Sequence, residues 1–387
     1  MIKQRIKAKD ALAIARRAPL ASLMALFQQC RQRLPLDYKL IKNGWSFYPS
    51  TVVLYATVRC NLSCPMCVDK KLKEKAKEFK ELRLSEIKKI IDQIAFFRPL
   101  FYITGRECLI RKDIVEIIKY AKKKGLICSL TSNGTLLTKT KARELIDAGI
   151  DRISFSLDGP EKIHDQIRGR GSFKKTTQGI RFLQELKKEK KQILPSLKMS
   201  SVVSGLNISC LEEFVNIAKE LEVPEVVLNQ LDYKTIQISR AHQEYFKKNF
   251  GVVCFPQGLI YHQPPLAIEK KMMDFDLDKF KKKIKEVEKL AARKGITVYF
   301  NPAVKARDME EYYSGRFLPQ SYCLNTWFAA KILSNGDVIP CFNLPMGNLR
   351  KESFVAIWNN SRYRLFRRIL KRQKHFPGCL RCCALEV

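Results

Sequence analysis

The chain has 387 residues, 46% of them hydrophobic, with 72 Lys and Arg set against 38 Asp and Glu for a net charge of +34. With only 17 Gly and 16 Pro, that apolar fraction excludes wholesale disorder. Thirteen cysteines are too sparse here for a disulfide scaffold and point to a reducing compartment. Residues 1–50 carry ten Lys and Arg against two Asp, and no stretch reaches the roughly 18–20 apolar residues of a membrane span. This region is read as a basic amphipathic arm in which Leu20, Leu23, Met24 and Phe27 share one helical face and Leu26 lies off it. Such an arm lies on an anionic membrane surface or on the protein's own body. From residue 51 strands and helices alternate. Thr51 to Val58 reads as a buried strand, and a helix follows with Ser85 as its cap and Ile87, Ile90, Ile91 and Ile94 at helical spacing. Strands at 100–104, 126–131, 151–157, 197–203 and 225–230 alternate with helices at 112–124, 138–148, 173–190 and 210–221. This is α/β alternation, which demands parallel strands with right-handed crossovers. Periodicity alone does not separate a partial (β/α)6 barrel over 51–230 from a doubly wound sheet. Residues 231–320 read as an irregular bridging region with one lysine-rich helix near 275–294 and a short strand from Ile296 to Phe300. Residues 321–387 form a turn-rich unit with little core of its own, for which a metal is a natural staple.

Cys60, Cys64 and Cys67 form a C-x3-C-x2-C triplet directly after the first strand. Zinc would require a fourth ligand, and the next candidates in sequence are as far away as Cys108 and His164. Three thiolates suit a 4Fe–4S cluster with one iron left open. At this spacing the sequence resembles the radical S-adenosylmethionine (SAM) superfamily. That resemblance implies a partial TIM-like barrel, and a cluster that cleaves SAM to a 5′-deoxyadenosyl radical able to take hydrogen from unactivated carbon. It also implies cofactor contacts for motifs at the ends of successive strands. Thr104-Gly105-Arg106-Glu107-Cys108 is similar to the family's Gly-Gly-Glu-Pro segment, with Arg106 and Cys108 as departures. Thr131-Ser132-Asn133-Gly134-Thr135 is similar to the family's Thr-Asn-Gly segment near the cofactor, Ser156-Leu157-Asp158-Gly159 resembles the segment whose polar groups face the SAM ribose, and Arg168 resembles an Arg that pairs the SAM carboxylate. Gly105, Glu107, Asn133, Ser156, Asp158 and Arg168 are therefore the expected cofactor-binding residues.

Near the carboxyl terminus, Cys323, Cys341, Cys379 and Cys382 offer four thiolates from three segments, with Cys383 competing for the last place. Four-cysteine zinc and a closed 4Fe–4S shell both fit this spacing. The order Cys323, Gly336…Cys341, Gly347-Asn348-Leu349, Ile357-Trp358 and then C-x2-C is similar to the SPASM or twitch extension of radical SAM enzymes. That likeness implies one auxiliary cluster. The expected cofactors are thus two 4Fe–4S clusters and SAM, and the expected partner is an electron donor such as a flavodoxin or ferredoxin.

The basic excess, with the run Arg362, Arg364, Arg367, Arg368, Lys371, Arg372 and Lys374, points to an anionic substrate, phosphorylated or lipid-linked. Peptide maturation is the competing reading. A nucleic-acid-binding or RNA-modifying iron–sulfur protein is a third, but the cations are spread along the chain without a known module, so nucleic acid is not the expected partner. The expected location is the cytoplasm, with peripheral contact at the inner membrane face through the arm.

Overall fold

The computed structural model describes residues 8–67, 80–231, 234–254, 274, 276–304, 308–314, 322–342, 344–380 and 382. Six parallel strands run in chain order: β1 Thr51–Tyr55, β2 Leu100–Thr104, β3 Ile127–Ser132, β4 Arg152–Ser156, β5 Ser196–Val203 and β6 Glu225–Gln230. Each pairs with the next, and helices fill the crossovers. The alternation read from the sequence is therefore a partial α/β barrel. Two elements widen it. β7 (Thr297–Asn301) adds in parallel to β6, and β8 (Ala329–Ile332) adds in parallel to the opposite edge, on β1. β9 (Asp337–Ile339) and β10 (Gly347–Asn348) continue that edge in antiparallel fashion, making one sheet of ten strands. The sheet thus crosses the bridging region and the C-terminal cysteine unit. One apolar core runs with it, from Val52 and Phe101 to Trp358 and Cys379.

The crossover helices form where apolar residues recur at helical spacing. Helix Leu84–Ile94 buries Ile87, Ile90, Ile91 and Ile94 against the sheet. Ser85 sits inside its first turn instead of capping it. The free amide at the start belongs to Arg83 and is taken by the Glu86 carboxylate at 2.7 Å. Helices Ile114–Lys123 and Lys139–Asp147 are each followed by a glycine with positive φ, Gly125 (+76°) and Gly149 (+80°), where a side chain would strain the turn. In the bridging region the lysine-rich helix Leu277–Lys294 turns Phe280, Val287 and Ala291 inward, and a second helix, Ile236–Phe250, packs beneath the C-terminal turn Pro377–Cys379.

The arm folds into helices Ala8–Arg17, Pro19–Arg33 and Leu36–Leu40. Arg31 is its anchor. Its buried guanidinium donates to Asp37 Oδ2 at 2.5 Å and to the carbonyls of Tyr48 (2.7 Å) and Trp327 (3.1 Å), and it lies over the Phe328 ring. One side chain thereby ties the arm to both the approach to β1 and the C-terminal unit.

Candidate active site at the carboxyl ends of the strands

β1 stops at Tyr55, earlier than the apolar run in the sequence, because residues 56–59 leave the ladder to build the cysteine loop. Glu81 holds the start of that loop, accepting from Thr57 Oγ1 (2.6 Å) and the Val58 amide (2.9 Å). Arg111 holds it from the other side. Its Nη1 donates to the carbonyls of Ala56 and Leu82, both at 3.0 Å, while Asp113 grips the same guanidinium at 2.7 and 2.9 Å. Sequence reasoning missed Glu81 and Arg111. The only signal was the Arg-Lys-Asp run placed just beyond the Glu107 motif.

Within the loop the Leu62 amide donates to Cys60 Sγ at 3.4 Å, and the Cys67 amide closes a turn on the Cys64 carbonyl at 3.1 Å. Cys64 is buried and Cys60 and Cys67 are half-buried. Burial pushes the Cys60 and Cys64 thiols up, while the Arg168 charge pulls both back down and Arg106 does the same for Cys60. The triplet, Arg106 and Arg168 therefore share one electrostatic neighbourhood.

Residues 105–107 are stitched to 57–59. Arg106 N donates to Thr57 O (3.2 Å) and Glu107 N to Arg59 O (3.1 Å). Gly105 has φ +139°, and a Cβ there would stand 2.8 Å from Thr57 O, so only glycine permits this approach. The Glu107 carboxylate is fully buried and points toward β3, accepting from Ser132 Oγ (2.7 Å), Leu109 N (3.0 Å) and Asn133 N (2.6 Å). Burial raises its pKa and these donors work against the rise. Cys108, the first departure from the family motif, is a fully buried core residue. Arg106, the second, is different: its Nε and Nη1 are buried without any hydrogen-bond partner.

Asn133 joins the loops after β1 and β3. It donates to Asn61 Oδ1 at 3.0 Å, approaches Cys60 Sγ at 4.0 Å and accepts from Thr135 Oγ1 at 2.7 Å. Ser156 ends β4, half-buried on the same rim. Asp158 lies deeper, accepting from Val202 N (3.0 Å), Ser201 Oγ (3.2 Å) and Arg168 Nε (2.5 Å). Burial opposes the Arg168 charge, and the fields of Asp158 and Cys64 more than offset it, so its pKa rises. His164 is structural: its Nδ1 accepts from the Asp158 amide at 3.1 Å, and burial lowers its pKa to about 4.

At the second cysteine group, Cys323, Cys341, Cys379 and Cys382 lie within one another's electrostatic reach. Burial, reinforced by the neighbouring thiols, pushes Cys323 up to about 11 and raises Cys341 and Cys379 well above the usual thiol range. Local donors shape the loops: Phe376 N donates to Cys379 Sγ (3.3 Å), Gly378 N to His242 Nδ1 (3.1 Å), Lys331 Nζ to Cys341 O (3.4 Å) and Lys234 Nζ to Leu380 O. Cys383, the competing fourth thiol, lies outside the described residues. In the basic run at 362–374, Arg362, Arg368, Arg372 and Lys374 are exposed, while two of the seven cations serve packing. Arg367 is buried, stacked on Trp358 and bonded to Thr326 O, and Lys371 is bonded to Tyr38 O.

The family model described as the radical SAM superfamily matches residues 54–218, and the iron–sulfur cluster-binding SPASM domain matches residues 323–383. The chain belongs to the radical SAM superfamily. It is similar to the AdoMet-dependent heme synthase of Methanosarcina barkeri, 27% identical over 81% of this chain and 83% of that protein. It is also similar to the PqqA peptide cyclase of Bradyrhizobium diazoefficiens, 30% identical over 48% of this chain and 47% of the cyclase, so that match spans less than half of the relative. Among solved structures, Streptococcus suis SuiB superposes with a TM-score of 0.58 at 16% identity, covering 86% of this chain and 70% of SuiB, a likeness of fold.

A radical SAM enzyme with a SPASM domain uses SAM, a SAM-binding 4Fe–4S cluster and auxiliary iron–sulfur chemistry. The donor sets fit. None of the described cysteines is in a disulfide, and in each group an amide N–H is directed at one sulfur. Among the described residues no three Cys, His, Asp or Glu form a group for one metal ion. A 4Fe–4S cluster takes one thiolate per iron and needs no such group.

Proposed function

We propose that this radical SAM enzyme acts on an anionic substrate, by hydrogen abstraction followed by oxidation or coupling of the substrate radical. When bound, SAM and the clusters supply the carbon-centred radical and an electron acceptor. The chain's own residues do the rest. Cys60, Cys64 and Cys67 hold the first cluster, with Asn133 and Asn61 bracing their loop, and Cys323, Cys341, Cys379 and Cys382 hold the second. Gly105 lets the loop after β2 approach, Glu107 fixes that loop to β3, and Ser156, Asp158 and Arg168 line the rim where SAM sits. The reducing electron comes from a carrier of the flavodoxin or ferredoxin class, drawn in by the positive field.

The observation that carries the anionic substrate is Arg106. Arg106 as a residue is half-buried, but its Nε and Nη1 are shut away from solvent without a partner, and an unsatisfied buried donor costs roughly 1–3 kcal/mol. An incoming carboxylate or phosphate removes that cost and gains a charge-assisted bond. In the test, anaerobic enzyme with SAM and a reductant is given cell-extract fractions separated by anion exchange, and 5′-deoxyadenosine release is followed by mass spectrometry. The strongly retained anionic fraction should raise release above the basal rate. Arg106→Gln should lose that stimulation while keeping SAM affinity. Peptide maturation, favoured by the likeness to the PqqA peptide cyclase, wins if unretained peptides alone stimulate turnover.

A further inference from the structure

The arm lies across the end of the barrel opposite the cysteine loop. Ser196 Oγ, on the first residue of β5, donates to Asp10 Oδ2 at 2.6 Å, and Gln32 Nε2 donates at 3.2 Å to Ser50 Oγ, just before β1. These are amino ends of strands, whereas Cys60, Glu107, Asn133 and Asp158 follow the carboxyl ends.

Helix Pro19–Arg33 docks through Ala21, Gln28 and Arg31, which are buried. Its other side is bare. Leu20, Leu23, Leu26 and Phe27 keep 57%, 64%, 60% and 56% of their surface exposed, and Leu34, Leu36 and Leu40 extend the exposed apolar surface. Leu20, Leu23 and Phe27 recur at spacings of three and four, which is a single helical stripe. An exposed apolar stripe of that length marks an interaction surface.

Charge selects the partner. Both acids of the arm turn inward, Asp10 to Ser196 and Asp37 to Arg31 and Ser46. The outward charges are Lys9, Arg16, Arg17, Arg33, Lys39 and Lys42, all positive and exposed. A second copy seated on the stripe would bring these cations together with no acid between them. An anionic lipid surface accommodates the leucines and the cations at once.

We infer that helix Pro19–Arg33 and the segment through Leu40 form an anchor for the surface of an anionic lipid bilayer. No helix among the described residues is long and apolar enough to cross a membrane, so the contact is interfacial. Because the arm covers the amino ends of the strands, the reaction site faces away from the bilayer. The arm therefore anchors the enzyme and does not feed it a lipid from the same membrane. This inference is independent of the substrate bound near Arg106.

The test is flotation of the full-length, cluster-loaded protein with vesicles of phosphatidylcholine, with or without phosphatidylglycerol. Wild type should float only with the anionic vesicles and release at high salt. Arg16→Gln, Arg17→Gln and Arg33→Gln together should weaken partitioning on the order of 100-fold, at roughly fivefold per cation. Leu23→Gln with Phe27→Gln should abolish flotation while leaving the circular dichroism, iron content and basal SAM cleavage of wild type. The inference fails if wild type stays at the bottom of the gradient, floats equally with neutral vesicles, or is matched by either variant. It also fails if sedimentation velocity reveals a dimer that the Leu23/Phe27 variant abolishes, since the stripe would then belong to a second copy.

Discussion

Asp158→Asn separates the hold on Arg168 from the shape of the site. In the native loop Asp158 is fully buried and Arg168 keeps only 11% of its side chain exposed, with Nε and Oδ2 2.5 Å apart. Asparagine can still accept from Val202 N and Ser201 Oγ through its own oxygen, but its amide nitrogen replaces Oδ2, so both the charge and the hydrogen bond from Arg168 Nε are lost. Breaking a buried pair by neutralising one partner costs about 3–5 kcal/mol. The lower figure applies here because Arg168 retains a path to water. Denaturant unfolding should therefore show a loss of about 3 kcal/mol, and most of it should return in the double variant Asp158→Asn/Arg168→Met, where no stranded cation remains. SAM binding should respond differently. With Arg168 no longer fixed beside Cys64 and Cys67, anaerobic equilibrium binding should weaken at least about tenfold, equivalent to about 1.4 kcal/mol, and the double variant should not restore it. If SAM affinity stays within about twofold of wild type while iron content is intact, Arg168 is a structural partner of Asp158 and not a hold on the cofactor.

The iron content checks both cysteine groups: about eight irons per intact chain, with about half left and no SAM cleavage after Cys60, Cys64 and Cys67 are replaced together by Ala. Replacing any one of Cys323, Cys341, Cys379 or Cys382 should remove the second cluster and raise protease sensitivity of the C-terminal unit, while substrate-free SAM cleavage persists; a single zinc in the intact protein would refute this. The pH dependence of stability follows from His164. Burial lowers its folded pKa from 6.5 to about 4, so between those values the unfolded chain takes the proton first. Stability present above pH 6.5 should fall by about 3 kcal/mol as the pH drops toward 4, and His164→Asn should flatten that part of the profile.

The strand–helix alternation was legible because each element carries its own period and its own stop, as Ile87 to Ile94 and Gly125 show. The cysteine groups were legible because thiols at such spacings have few other uses. What stayed hidden depends on distance. β8 reads as a short apolar stretch in a turn-rich region, and only its pairing with β1, more than 270 residues earlier, makes it part of the barrel sheet. Arg31, Arg111 and Arg367 looked like three of many basic residues, yet each is buried and serves carbonyls that other elements leave open. A composition dominated by Lys and Arg conceals which cations are structural. For the same reason the run at 362–374 looked like an anion site and proved to be partly packing.

The loop after β2 shows how a departure from a family motif can be weighed. Cys108 replaces a proline, and every surface it offers is taken up by the core, with burial driving its thiol pKa far up and away from reactivity. Nothing about that residue asks for a ligand. Arg106 replaces a glycine two positions earlier, on backbone pinned to Thr57 by a 3.2 Å hydrogen bond; the residue is half-buried, close enough to Cys60 for their charges to interact, and its Nε and Nη1 are buried with no partner. Glu107, the adjacent acid, does not satisfy it, because its carboxylate is spent on Ser132, Leu109 and Asn133. The structural arginines spend their guanidinium on bonds, Arg111 through four of them and Arg31 and Arg367 with one nitrogen each left over, whereas Arg106 leaves two nitrogens unmet. The contrast between Arg106 and Arg111, five residues apart, is what supports the proposal that Arg106 meets an anionic group: Arg111 builds the loop, and two nitrogens of Arg106 are left without a partner.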